Sequence, residues 1–182
     1  MSKWKMLETT ELAKLGPFRI RQDKCQLPDG RIMPKYYVVE FPDWVHVIAI
    51  TPEGMMVLVD QYRHAAEGRF LELPGGTTEP HIGESNSAGA LRELEEETGY
   101  SGKLKHIGSH YPNPALQDNK VHVFLSLDCS LQKQQKLDPF EDLDVVLKPV
   151  AEVYQLVEEG KVLHGLMLGA LFLARPYLQD FL

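Results

Sequence analysis

The chain has 182 residues, 43% of them hydrophobic and 25% charged, which suits one compact main domain with a real core and gives no sign of general disorder. With 19 basic and 26 acidic residues the net charge is −7, which argues against non-specific attraction to nucleic acid or an anionic membrane. The opening MSKWKM has no apolar signal core, LMLGALFLA at 166–174 is too short to span a bilayer, and Cys25 and Cys129 are the only cysteines, so a cytoplasmic chain with two reduced thiols is expected.

Two turn signals come first in chain order, LPDG at 27–30 and TPEG at 51–54. Runs rich in apolar and β-branched residues accompany them: YYVVEF, then VHVIAI and MMVLVDQY on either side of the second turn. They read as hairpins. A Gly-rich segment at 75–76 follows, then a helix from about Ser87 to Thr98 and a strand-like run, KVHVFLSLD, at 120–128. QKQQK at 132–136 reads as a loop and DVVLKPV at 144–150 as a last strand. From Val150 onward the apolar spacing is helical until Pro176 stops it. Strands, helix, strands, helix imply a mixed sheet with helices packed on it, an α/β or α+β domain.

The helix ends in ELEEE. At about 100° per residue, Glu93, Glu96 and Glu97 share an arc of roughly 100°, while Glu95 lies away from it and Leu91 is nearly opposite Glu93. Residues at i+3 and i+4 stand ~5–6 Å apart at Cβ, close enough for their carboxylates to converge on hard divalent cations. A solvated acidic face explains the run equally well on these grounds, at a cost of only about 0.2–0.5 kcal/mol per like-charge pair.

The flanks separate the two readings. Glu84, Arg92, Glu93, Leu94, Glu96, Glu97, Gly99 and Tyr100 together resemble E-x7-R-E-U-x-E-E-x-G-U, the helical part of the Nudix box, where U is apolar or aromatic. At average residue usage, six fixed positions coincide by chance with a probability on the order of 10⁻⁷ per site. The family pattern opens G-x5-E, whereas here seven residues separate Gly76 from Glu84, as if His81 and Ile82 were inserted. Two extra loop residues cost only roughly 0.3 kcal/mol of closure entropy. Gly89, at a helical position, gives up about 1 kcal/mol of propensity and marks a point of close packing. Outside the box, VLVDQYRH, LELPGG, YPNPALQDNKVHVFL and the segment from EDLDVV onward resemble the ADP-ribose and nucleoside diphosphate sugar pyrophosphatase branch.

That resemblance implies a Nudix fold, a mixed β-sheet sandwiched between helices over residues 43–182, with an N-terminal antiparallel β subregion over 1–42. It implies hydrolysis of a nucleoside diphosphate sugar with Mg²⁺ or Mn²⁺: ADP-ribose to AMP and ribose 5-phosphate, with GDP-mannose or another nucleotide sugar, or a non-catalytic ligand-binding regulator, as alternatives. Glu93, Glu96 and Glu97 would be metal ligands, joined by the Gly75 carbonyl, and Glu96 is also expected in catalysis. Arg92 and Glu84 would brace loop and helix. Glu141 is the expected general base, with Asp138 and Asp142 behind it. Arg63 is expected on the diphosphate, Trp44 or Tyr36 on the base, and Pro114 fits the proline that tends to follow the box in ADP-ribose enzymes. A homodimer formed through residues 1–42 is expected from the same resemblance. The seven histidines show no metal-binding spacing and are given no role.

Overall fold

A computed structural model of the chain describes residues 3–182, which divide into two compact units. One runs up to Asp43 and takes in Tyr111–Lys120; the other comprises Trp44–His110 and Val121–Leu182.

The first unit is an antiparallel sheet of β1 (Lys5–Leu15), β2 (Phe18–Gln26) and β3 (Ile32–Glu40), in that order. The LPDG turn closes the β2–β3 hairpin: Gly30 N–H donates to the Leu27 carbonyl at 3.0 Å, with Gly30 at φ +89°, a conformation that suits glycine. The expected N-terminal antiparallel β subregion and the hairpin at LPDG are thus present, though no run in the sequence marks β1. β1 is exposed along nearly its whole length, so its sequence carries no buried-face alternation for the eye to find. Tyr111–Lys120 ties itself to this sheet through backbone groups, Val39 N–H donating to Leu116 O at 2.8 Å and the Asn119 side chain to Pro42 O at 3.2 Å.

The second unit opens with β4 (Trp44–Ile50), β5 (Met55–Arg63), β6 (Gly68–Glu72) and β7 (Gly75–Thr77), then α1 (Asn86–Thr98). After it come β8 (Tyr100–Ser101), β9 (Lys105–His110), β10 (Val121–Ser126), β11 (Ser130–Leu131), β12 (Leu143–Pro149), α2 (Val150–Glu158) and α3 (Gly165–Ala174). The main sheet runs β12-β5-β4-β10-β9, with β6 on β5 and β7 on β4; β4 and β10 are parallel and the other pairs antiparallel. The expected mixed sheet is therefore present.

β4 is the central strand, and Val45–Ile50 are buried on both faces, which is why VHVIAI reads as a nearly continuous apolar run. Alternation sorts its two faces. Val45, Val47 and Ala49 cluster with Ala90 and Leu94 of α1, whereas Ile48 and Ile50 cluster with Val153 of α2 and Met167 and Leu171 of α3. Helices thus cover both sides of the sheet, and a buried leucine such as Leu94 contributes about 1.5–3 kcal/mol to that arrangement. The TPEG turn joins β4 to β5, with Gly54 N–H donating to Thr51 O at 2.9 Å. α3 ends at Ala174, two residues short of Pro176. No helix of the described residues is long and apolar enough to cross a membrane.

Candidate active site

α1 begins one residue earlier than its apolar spacing predicted, because Ser85 caps it: the Ser85 hydroxyl accepts from Ala88 N–H at 3.2 Å, worth about 1 kcal/mol. Gly99, at φ +74°, ends it. Between these caps the helix turns Ala90 and Leu94 to the core and Glu93, Glu96 and Glu97 into a cavity of about 470 Å³. Glu95 points elsewhere, paired with Lys133 at 2.5 Å and accepting from Ser101 at 2.8 Å.

Arg92 is the brace. Its Nε donates to Glu84 Oε1 at 2.8 Å and its Nη2 to the Thr77 carbonyl at 3.1 Å, so helix and preceding loop are stitched together. Its Nη1 reaches Glu93 Oε1 at 2.9 Å and Glu96 Oε2 at 3.1 Å. Glu84 also accepts from Glu79 N–H at 2.8 Å. Gly89 packs close to this brace, since a Cβ would lie 2.8 Å from the Glu84 carboxylate and force it to shift. The extra loop residues, His81 and Ile82, are exposed in a short turn and leave this brace undisturbed.

Gly75 and Gly76 bring the backbone of β7 under the acids. A Cβ on Gly75 would fall 2.0 Å from the Val45 carbonyl, and one on Gly76 would fall 2.6 Å from Glu93 Oε1. Gly75 N–H donates to Glu97 Oε2 at 2.9 Å. Glu97 is only 3% exposed, and its carboxyl pKa is pushed up to about 8: burial dominates, the Gly75 bond opposes it, and the charges of Glu93 and Glu141 add to it. Burial also raises Glu93, against the pull of Arg92.

Another side of the cavity carries Trp44, His46, Arg63 and His164. Arg63 grips Glu72 with two bonds, Nε to Oε1 at 3.0 Å and Nη2 to Oε2 at 2.6 Å, and the Glu72 side chain is 2% exposed. That fork uses one edge of the guanidinium and leaves Nη1 and the second Nη2 hydrogen on the other edge. His164 Nδ1 lies 3.5 Å from Glu72 Oε2, and its ring centroid is 5.7 Å from that of His46. Burial lowers both imidazoles, His46 to about 3, with His164, His110 and Arg63 adding to the effect.

The loop before β12 contributes Lys136, Asp138 and Glu141 to the cavity. Asp138 N–H donates to Glu141 Oε2 at 2.8 Å and Glu141 N–H to Asp138 O at 3.0 Å, a closed turn that fixes the Glu141 carboxylate. Asp142 is turned to Arg69, 3.0 Å away.

Of the residues expected in a site, Trp44, Arg63, Gly75, Arg92, Glu93, Glu96, Glu97 and Glu141 line this one cavity. Tyr36 and Pro114 belong to the first unit: the Tyr36 hydroxyl donates to Ala115 O at 2.8 Å, and Pro114 is an exposed residue of a turn closed by Gln117 N–H on Asn113 O. The reading of the sequence missed His46, Gln61, Lys136 and His164 as cavity residues. A histidine inside the apolar run of a central strand was the one signal that could have marked His46.

Among the described residues, no group of three or more His, Cys, Asp and Glu side chains is set to hold a metal ion. Arg92 occupies Glu93 and Glu96, and Gly75 N–H occupies Glu97. The donor chemistry nevertheless fits a hard divalent cation. Carboxylates crowd a buried place, two of them, Glu93 and Glu97, are driven toward protonation by burial and by neighbouring carboxylates, and a cation would relieve both costs.

The NUDIX domain model matches residues 41–165. The chain is 39% identical over 142 residues to the ADP-ribose pyrophosphatase of Bacillus subtilis, covering 77% of this chain and 75% of that protein. It is 32% identical over 160 residues to the methanol dehydrogenase activator of Bacillus methanolicus, covering 87% and 85%. A crystal structure of an ADP compounds hydrolase superposes with a TM-score of 0.84 at 23% identity, covering 99% of this chain and 96% of that one, a likeness of fold. With the box residues of α1 gathered over Gly75 and Gly76, and a family match across most of its length, the chain belongs to the Nudix hydrolases.

Proposed function

We propose that the protein hydrolyses the diphosphate of ADP-ribose and related nucleoside diphosphate sugars, giving AMP and ribose 5-phosphate from ADP-ribose, with Mg²⁺ or Mn²⁺. The observation that carries this reading is the buried acid cluster of α1, with Glu97 driven toward protonation, in a chain similar over three quarters of its length to an ADP-ribose pyrophosphatase. Glu93, Glu96 and Glu97, with the Gly75 carbonyl, would hold the cation, and Arg92 would yield Glu93 and Glu96 to it while keeping Glu84. When bound, the cation neutralises phosphoryl oxygens and lowers the pKa of the attacking water.

The chain's own groups do the rest. The free edge of Arg63, held by Glu72, binds the diphosphate, and Trp44 offers an indole face to the base. Glu141, fixed by its turn with Asp138, takes the proton from water as oxygen bonds to one phosphorus and the bridging P–O bond breaks. Residues 1–42 act as the dimerisation element, a role supported by the edge of β1, unpaired among the described residues, and its exposed Met6, Leu12 and Leu15. A single monomeric species in sedimentation would contradict that part.

The test is turnover of ADP-ribose, ADP-mannose, GDP-mannose and other diphosphate substrates with Mg²⁺, products being identified in ¹⁸O water. ADP-ribose among the poorest substrates contradicts the reading, and preference for GDP-mannose replaces it with the nucleotide-sugar alternative. The likeness to a methanol dehydrogenase activator favours a second reading, a regulatory role. Tight ligand binding without turnover would support it.

A further inference from the structure

His46 is an unusual residue for the middle of a sheet: it is 6% exposed, stands on the central strand, and its Nδ1 is buried with no hydrogen-bond partner. His164, at the start of α3, repeats the pattern, its Nδ1 buried and unpartnered. Buried polar atoms are nearly always hydrogen-bonded, and two exceptions on one cavity surface need a reason. The Glu72 carboxylate, already bonded by Arg63, stands 3.5 Å from His164 Nδ1, too far for a good hydrogen bond though close enough to polarise the ring.

For His46, whose Nδ1 has no partner, a bare ring nitrogen is cheaper to bury than an N–H, which puts the proton on Nε2; His164 Nδ1 faces the Glu72 carboxylate, which favours the proton on Nδ1 and leaves Nε2 an acceptor. The two rings then offer one donor, at His46 Nε2, and one acceptor, at His164 Nε2. Gln61, 7% exposed and also on the cavity surface, adds an amide with both donors and an acceptor. Uncharged groups of this kind match a hydroxyl, which accepts and donates, better than a phosphate, for which Arg63 is at hand. Trp44 stands two residues before His46 on the same face of β4, roughly 7 Å along the strand, about the reach from a stacked base to its sugar.

We propose that His46 and His164, with Gln61, form a sugar-reading subsite that hydrogen-bonds the hydroxyls of a substrate ribose and makes the enzyme discriminate against sugars lacking them. This rests on the function proposed above. The ribose is either that of the nucleoside or the terminal one, and the chemistry is the same for both. A site built to bond a hydroxyl rejects the deoxy analogue because its own buried polar groups are then left unpaired.

The test compares kcat/KM for ADP-ribose with that for two analogues, one 2′-deoxy in the adenosine and one 2-deoxy in the terminal ribose, in the wild type, His46→Val, His46→Gln, His164→Leu and Gln61→Leu. The wild type is expected to disfavour one analogue by about 10²-fold or more. His46→Val and His164→Leu should bring that ratio within about fivefold of unity, chiefly by losing rate on ADP-ribose, while His46→Gln preserves most of it. Which analogue responds tells which ribose is read. Equal losses on all three substrates, as a merely structural role would produce, overturn the proposal, as does a wild type indifferent to both deoxy positions. A wild type without turnover of any diphosphate substrate instead overturns the proposed function itself.

Discussion

Burial acts on both sides of the cavity and leaves them with opposite potential. On the α1 side it raises the carboxyl of Glu97 to about 8; on the β4 and α3 side it lowers the imidazole of His46 to about 3. Near neutral pH both groups are driven to the uncharged form. The acids regain their charge if a cation enters, because they stand together and share oxygen donors. The imidazoles stand beside Arg63 and stay neutral, as hydrogen-bonding groups. One side is thus suited to hold charge that arrives with the substrate, the other to read shape and hydroxyls.

The largest effect is expected from Glu97→Gln. Turnover should fall about 10³-fold or more, equivalent to roughly 4 kcal/mol of lost transition-state stabilisation, while far-UV circular dichroism is unchanged. Unchanged kcat at saturating Mg²⁺ would remove Glu97 from the site. Next comes Glu141→Gln, expected to lower kcat by about 10²–10⁴-fold with KM within roughly twofold, the loss of a general base. A rise in KM alone would make Glu141 a binding residue.

A smaller effect sharpens the contrast through stability. Folded Glu97 holds a proton that the unfolded chain has released, so its contribution is full below about pH 4.5 and is lost as pH rises through about 8. His46 acts with the other sign: below about pH 6.5 the unfolded chain takes up a proton that folded His46 refuses, so stability falls as pH falls toward about 3. In metal-free buffer, urea midpoints should show the loss of stability between about pH 4.5 and 8 reduced by Glu97→Gln and the loss between about pH 6.5 and 3 reduced by His46→Val. Identical pH profiles for the two variants and the wild type would contradict both assignments.

How much of this was readable in the residues follows from distance along the chain. Glu93, Glu96 and Glu97 lie within one helical turn and a half, so the 3.6-residue period alone brings them to one face, and Arg92 and Glu84 follow from a fixed spacing. The hairpins around Gly30 and Gly54 were legible for the same reason. β1 was not, because a strand exposed along nearly its whole length carries no alternation. β7 was hidden because its glycines look like loop residues, although their lack of a side chain is what lets the strand approach Val45. His46 and His164 are over a hundred positions apart, and only the pairing of β4 with its neighbours and the packing of α3 bring them together. Tyr36, expected on the base, lies in the first unit, where its hydroxyl donates to the Ala115 carbonyl.

Calorimetric titration with Mn²⁺ at pH 7, in two buffers of different ionisation heat, tests the central claim most directly. The account expects saturable binding that releases about one proton as Glu97 gives up its own, with affinity and proton release both lost in Glu97→Gln. Binding that is absent in the wild type, or unaltered in Glu97→Gln, would contradict it.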